Sequence, residues 1–246
     1  MPFFALSILL QILCVVHLIR NNGNKLWLTA IIFLPLAGSA AYFLFEILPG
    51  LQGNRHMRYA KKKAVEKIDP ERRIRQAKEN IKLTDSLANW VELADALAAN
   101  GRHDEAALQY GEIVVEPHGN SDGIMFKYAR SLFETGDAAR AWDIMEPLEP
   151  ASVNSENNQR QLLKARILSE LDRDNEARDI HANIVDKIAG IEARGHYAAL
   201  LLKMGEKILA KEQLEEIIEA GKRMSRAQLD EDRPIYEWAA SNLKQL

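Results

Sequence analysis

The chain has 246 residues, 47% hydrophobic, 27% charged and 7% aromatic, with 13 Gly and 8 Pro, a balance that excludes a collagen-like or wholly disordered polymer. Its single cysteine excludes a disulfide framework and a cysteine-rich zinc site. The net charge of −3 conceals an uneven spread: residues 1–54 are near neutral, residues 55–82 carry eleven Lys/Arg against four Asp/Glu, and the remainder is strongly acidic.

The first predicted element is apolar. From Pro2 to Ile19 there is no charged side chain, and a helix of that length rises roughly 27 Å, near the lower limit for a bilayer core. A second run, Leu26 to Leu48, would rise roughly 35 Å. Residues 1–50 therefore predict a two-helix transmembrane hairpin. A cleaved signal peptide fits less well, because no basic residue precedes the first run and no small-x-small site closes it. The cluster Arg55, Arg58, Lys61, Lys62 and Lys63 follows the second span directly. The positive-inside rule then places both termini and the body in the cytoplasm, at an inner membrane. His17 and Glu46 lie near span ends and read as side chains that snorkel to the interface.

Within LWLTAIIFLPLAGSAAYFLF, Trp27, Pro35, Gly38 and Tyr42 resemble the W…LP..G…Y hairpin that precedes the catalytic part of cardiolipin synthases and other phospholipase D-type enzymes. The resemblance covers about residues 5–48 and implies a membrane module. It does not extend to catalysis. Those enzymes use two H-x-K-x4-D motifs, and none of the six histidines here has a lysine two residues on.

Residues 51–82 form a basic juxtamembrane segment. Asp69 and Pro70 mark a helix start, and Ile74, Ala77 and Ile81 supply an apolar stripe. The charge suits anionic head groups, at about 1 kcal/mol per basic residue near the surface. Nucleic acid is a poor partner for it, since Tyr59 is the segment's one aromatic residue and an acidic body follows.

Residues 83–224 repeat. Counting Leu87 as position 1, Trp90, Leu93, Ala94, Leu97, Gly101, Ala106 and Tyr110 fall at positions 4, 7, 8, 11, 15, 20 and 24. A second unit from Asp122 places Tyr128, Ala129, Leu132, Gly136 and Ala141 in phase. A third from Asn158 keeps Ala165, Leu168 and Ala177 but has Lys164 at position 7 and Asp172 in the glycine's place. A fourth from Ile191 shows Tyr197, Ala198, Leu201, Gly205 and Ala210. This small-Gly-small pattern resembles the tetratricopeptide repeat (TPR), a helical-hairpin unit that stacks into a solenoid. Over residues 225–246, Ile235, Trp238, Ala239 and Leu243 share one face of a predicted capping helix. The fold class expected is thus all-α, a transmembrane hairpin followed by a TPR-like solenoid and its cap.

The TPR resemblance implies a concave groove lined by positions 2, 5, 9 and 12 of each first helix. On this chain those positions include Asp95, Arg130 and Arg166, with Phe126 and Phe133 beside the arginines. An arginine pair against aromatic surface suits a peptide with a carboxylate and an apolar anchor. The competing reading pairs the arginines with Glu134 and Glu170 on a solvated face. His181 and Tyr110, both at position 24, read as packing residues. The chain has no phosphate loop, G-x-G-x-x-G or H-E-x-x-H, so no catalytic residue, metal, cofactor or small-molecule substrate is expected. The function expected is a membrane-anchored scaffold with protein partners and lipid contact. The alternative is a non-catalytic subunit of a phospholipid-synthesis or transport assembly that it contacts through the hairpin.

Overall fold

The computed structural model describes residues 2–20, 24, 26–47 and 68–246, with the side chains of 2–7, 9, 10, 35 and 36 set aside. The membrane-surface cluster Arg55, Arg58, Lys61, Lys62 and Lys63 lies outside the described residues. Those residues form helices and no strand. They divide into two compact units, residues 1–72 and 73–246.

In the first unit α1 (Pro2–Arg20) packs against α2 (Leu26–Phe33) and α3 (Pro35–Tyr42), and a π-helical turn over Phe43–Ile47 follows. Cys14, Leu18, Ile31 and Tyr42 are its buried centre. The second apolar run is not one 23-residue span, because it breaks at Leu34, ahead of Pro35. Proline has no N–H, so the Ile31 carbonyl four residues back loses its helical donor. Gln11 of α1 replaces it, its Nε2 donating to Ile31 O at 2.8 Å. Gly38 completes the bend: a Cβ there would fall 2.1 Å from the Ala30 carbonyl oxygen. Among the described residues no helix is long and apolar enough to cross a membrane, which corrects the two-span expectation for this part of the chain. His17 and Glu46 are both engaged within this unit. His17 Nδ1 lies 3.0 Å from the Tyr42 hydroxyl, and Trp27 Nε1 donates to Glu46 Oε1 at 2.9 Å.

The second unit opens with α4 (Arg72–Leu83). Its stripe is used in packing: Ile74 and Ala77 are buried, and Ile81 lies against the same cluster as Leu93, Leu97 and Tyr110. The last third of the basic segment is therefore part of the repeat unit, with its boundary near residue 72. Four helical hairpins follow: α5 (Leu87–Ala99) with α6 (His103–Ile113), α7 (Asp122–Glu134) with α8 (Ala138–Met145), α9 (Asn154–Glu170) with α10 (Asp174–Ile184), and α11 (Glu192–Lys203) with α12 (Lys207–Arg223).

The four hairpins turn in the same way. Gly101, Gly136, Asp172 and Gly205 have φ of 73°, 87°, 57° and 77°. After each, an N–H reaches back to close the helix end: Arg102 to Leu97 O, Asp137 to Leu132 O, Arg173 to Leu168 O and Glu206 to Leu201 O, at 2.9–3.0 Å. Asp172 thus does what glycine does in the other three. The eight alanines at positions 8 and 20, from Ala94 to Ala210, are all fully buried. Larger side chains there would hold the paired helices apart.

Beyond α12 a short α13 (Arg226–Glu231), opened by a Ser225–Gln228 capping box, leads to α14 (Arg233–Leu243). Ala239 is buried with Ile191, Ala198, Leu214 and Ile217, and Ile235, Trp238 and Leu243 pack on that cluster as the face pattern predicts. Tyr236 joins them, its ring against Gly221, where a Cβ would lie 2.5 Å away.

Candidate functional site: the row of first helices

Each hairpin's first helix touches the first helix of the next, so α5, α7, α9 and α11 form a row, and α14 joins it against α11. The predicted groove residues stand on this row, but they do not act alike.

Asp95 is committed to its neighbours. Lys127 Nζ lies 2.8 Å from its carboxylate, tying α5 to α7, and the Tyr110 hydroxyl donates to the other oxygen. Tyr110 is 1% exposed. Burial, then its hydrogen bond to Asp95, pushes the phenol up, so it remains a donor. Asp95 is therefore a strut between repeats.

Arg166 is also engaged. Its Nη2 lies 3.2 Å from Glu134 Oε1, and its guanidinium sits 4.7 Å from the Phe133 ring centroid. This is the solvated-pair reading for one of its two named acids. Arg130, one repeat earlier, is exposed and has no ion pair with a described residue. The arginine pair thus splits into one structural cation and one presented cation. Phe126 and Phe133 are half-buried against the core of the second hairpin, leaving part of each ring accessible.

Sequence reasoning placed groove positions at the far end of the row but missed the wall that the cap builds opposite them. Glu192, Gly195, His196 and Ala199 of α11 face Pro234, Ile235 and Trp238 across a cavity of about 270 Å³. Gly195 occupies a groove position where a Cβ would come within 2.9 Å of Ile235 Cγ2, so the missing side chain makes room for the cap. His196, 3.8 Å away, holds the Glu192 carboxyl below the usual carboxylate range, helped by the charges of Arg166 and Arg130.

Behind it lies His181, 1% exposed, stacked on Tyr197 with centroids 5.6 Å apart and planes at 16°. Burial, then the charges of His196 and Arg166, lower it to about 4, so it is neutral at pH 7. It is the packing residue expected.

Arg160 is a second residue the sequence did not flag. It is 5% exposed, and its guanidinium joins Asp122 at 3.1 Å, the Glu149 carbonyl at 2.9 Å and Glu156 at 2.9 Å. It fastens α9 to the start of α7. Nothing in its spacing distinguishes it from a surface arginine.

Among the described residues no group of three metal-ligating side chains occurs. The row carries a presented cation, ring edges and an apolar notch. Neither a family model, nor a curated protein, nor a solved structure matches the chain.

Proposed function

We propose that this chain is a TPR-type adaptor held at the cytoplasmic face of an inner membrane by its N-terminal hairpin, where its repeats capture peptide segments of partner proteins. The observation that carries the reading is Arg130: an exposed residue on the row of first helices, one helical turn from the half-buried Phe126 and Phe133 of the same helix. A peptide carboxylate would take that cation bidentately while an apolar side chain covers the rings.

The first unit supports anchoring by its surface. Leu26, Phe33 and Phe45 are each more than 70% exposed, and Ile12, Leu13 and Ile19 more than half. Meanwhile Gln11, His17, Trp27 and Tyr42 hydrogen-bond between elements. Apolar side chains outward and polar groups mostly paired inward, the buried Ser39 hydroxyl being an exception, is the arrangement lipid favours. Gln11 serves the carbonyl freed at Pro35, a donor that any apolar surrounding would require. Tethering then raises the partner's effective concentration at the bilayer.

The test is co-purification from native membranes in mild detergent, full-length protein against Arg130→Glu. Arg166 is less informative, because its reversal would also break the Glu134 and Phe133 contacts. The reading expects a partner captured by the parent chain and lost from the variant. Retention of every partner by Arg130→Glu would contradict it.

A further inference from the structure

A cavity lies at the open end of the first hairpin. It encloses about 660 Å³ between the start of α5 and the end of α6, lined by Leu87, Trp90, Ile113, Val115 and Pro117 on its apolar side. Three carboxylates rim it, Asp85, Glu112 and Glu116, and among the described residues its lining includes no lysine, arginine or histidine.

Two features set this apart from an ordinary solvated face. Glu112 lies in the last turn of α6, with Glu116 just beyond, and that turn has no basic residue. Helix C-terminal carbonyls carry partial negative charge, so carboxylates there are disfavoured. A cation arriving from outside would be attracted by both carboxylates and carbonyls. Val115 at the lip is 80% exposed, an isolated large aliphatic next to the notch. Asp85 is partly occupied, accepting from Trp90 Nε1 at 2.7 Å, which fixes the indole as one wall. Glu112 accepts a 3.2 Å hydrogen bond from Gln109.

We propose that this notch is a second docking site, which takes a basic peptide segment whose apolar side chain enters between Trp90 and Ile113 while its lysines or arginines meet Glu112 and Glu116. It is opposite in charge preference to the site at Arg130 and independent of it. The repeat unit would then hold two segments at once, one acidic and one basic.

The probe is a fluorescein-labelled Ac-Lys-Leu-Arg-Lys-Phe-Lys-NH2, titrated by anisotropy into the full chain in phosphatidylcholine nanodiscs. Its counterpart has each basic residue replaced by glutamate. Saturable binding of the basic peptide is expected, at least tenfold tighter than the acidic one. The double variant Glu112→Lys, Glu116→Lys should weaken it at least tenfold. Its thermal midpoint should not fall, because the helix end gains favourable charge. The control Glu212→Lys, Glu216→Lys, on exposed positions of α12, should bind as the parent does. Equal affinity for both peptides would overturn the proposal. So would unchanged binding by the first variant, or an equal loss in the control, which would mean attraction to the acidic body at large.

Discussion

His181 is the clearest case in which one buried side chain sets a measurable property of this protein. Its pKa is about 4 when folded, against about 6.5 in an unfolded chain. Between those values the unfolded state binds the extra proton. The stabilising contribution is therefore whole above pH 6.5 and is lost as pH falls toward 4. Denaturant titrations of the parent should show stability declining over that window by up to roughly 3 kcal/mol from this group. His181→Phe, which keeps a ring against Tyr197, should flatten that part of the profile. A variant with the parent's full pH slope would show that other groups carry it. Gln11 makes a comparable case in the first unit. Gln11→Leu keeps the apolar bulk but strands the Ile31 carbonyl, at a cost of about 1–3 kcal/mol. The expected result is a lower thermal midpoint in detergent, while Gln11→Glu, protonated at low pH, should recover part of it. The sequence shows Gln11 as a lone polar residue in an apolar run and Pro35 as a kink. That one serves the other depends on how α1 meets the second arm, which no local pattern encodes. The same limit hid the Tyr110–Asp95–Lys127 strut and the Arg160 junction, each of which joins residues at least 15 apart at one or more of its contacts.

At the scale of elements the repeat was legible because its determinants are local. A left-handed residue, two alanines and a few apolar positions recur within one hairpin, and the structure places all four copies in phase. Even the departure at Asp172 proved to be conservative in geometry, since a short polar side chain tolerates positive φ. Lys203 Nζ adds a 2.9 Å contact to its carboxylate. Asp172→Ala should therefore destabilise by about 1 kcal/mol, while Asp172→Gly stays within about 0.5 kcal/mol of the parent. Chemical denaturation of the two variants distinguishes this from a mainly electrostatic role, in which both would fall equally. The opening helix was harder to place. The Ile74/Ala77/Ile81 stripe of α4 stands among basic residues, so charge suggested a membrane surface where packing on α5 and α6 prevails. At the other end α14 both caps the core and walls the groove, which its amphipathic pattern did not reveal. Ending the chain at Asp232 should open α11 and α12, read as lost hydrogen-exchange protection over residues 192–223 with α5 to α8 unchanged.

The whole molecule divides its chemistry between two units. One presents large apolar side chains and pairs Gln11, His17, Trp27 and Tyr42 internally. The other carries most of the acid charge, its own buried core, and the two surfaces proposed to bind, at Arg130 and at the Glu112 notch. The account's central claim is that attachment and recognition are separable along this division. The most direct measurement compares the full chain with a form lacking residues 1–54, by carbonate-washed membrane fractionation and by partner capture. The full chain should stay with the membrane, the shortened form should be released from it, and both should capture the same partner. A shortened form that is released but captures nothing, while the full chain does, would contradict the claim and move recognition to the hairpin.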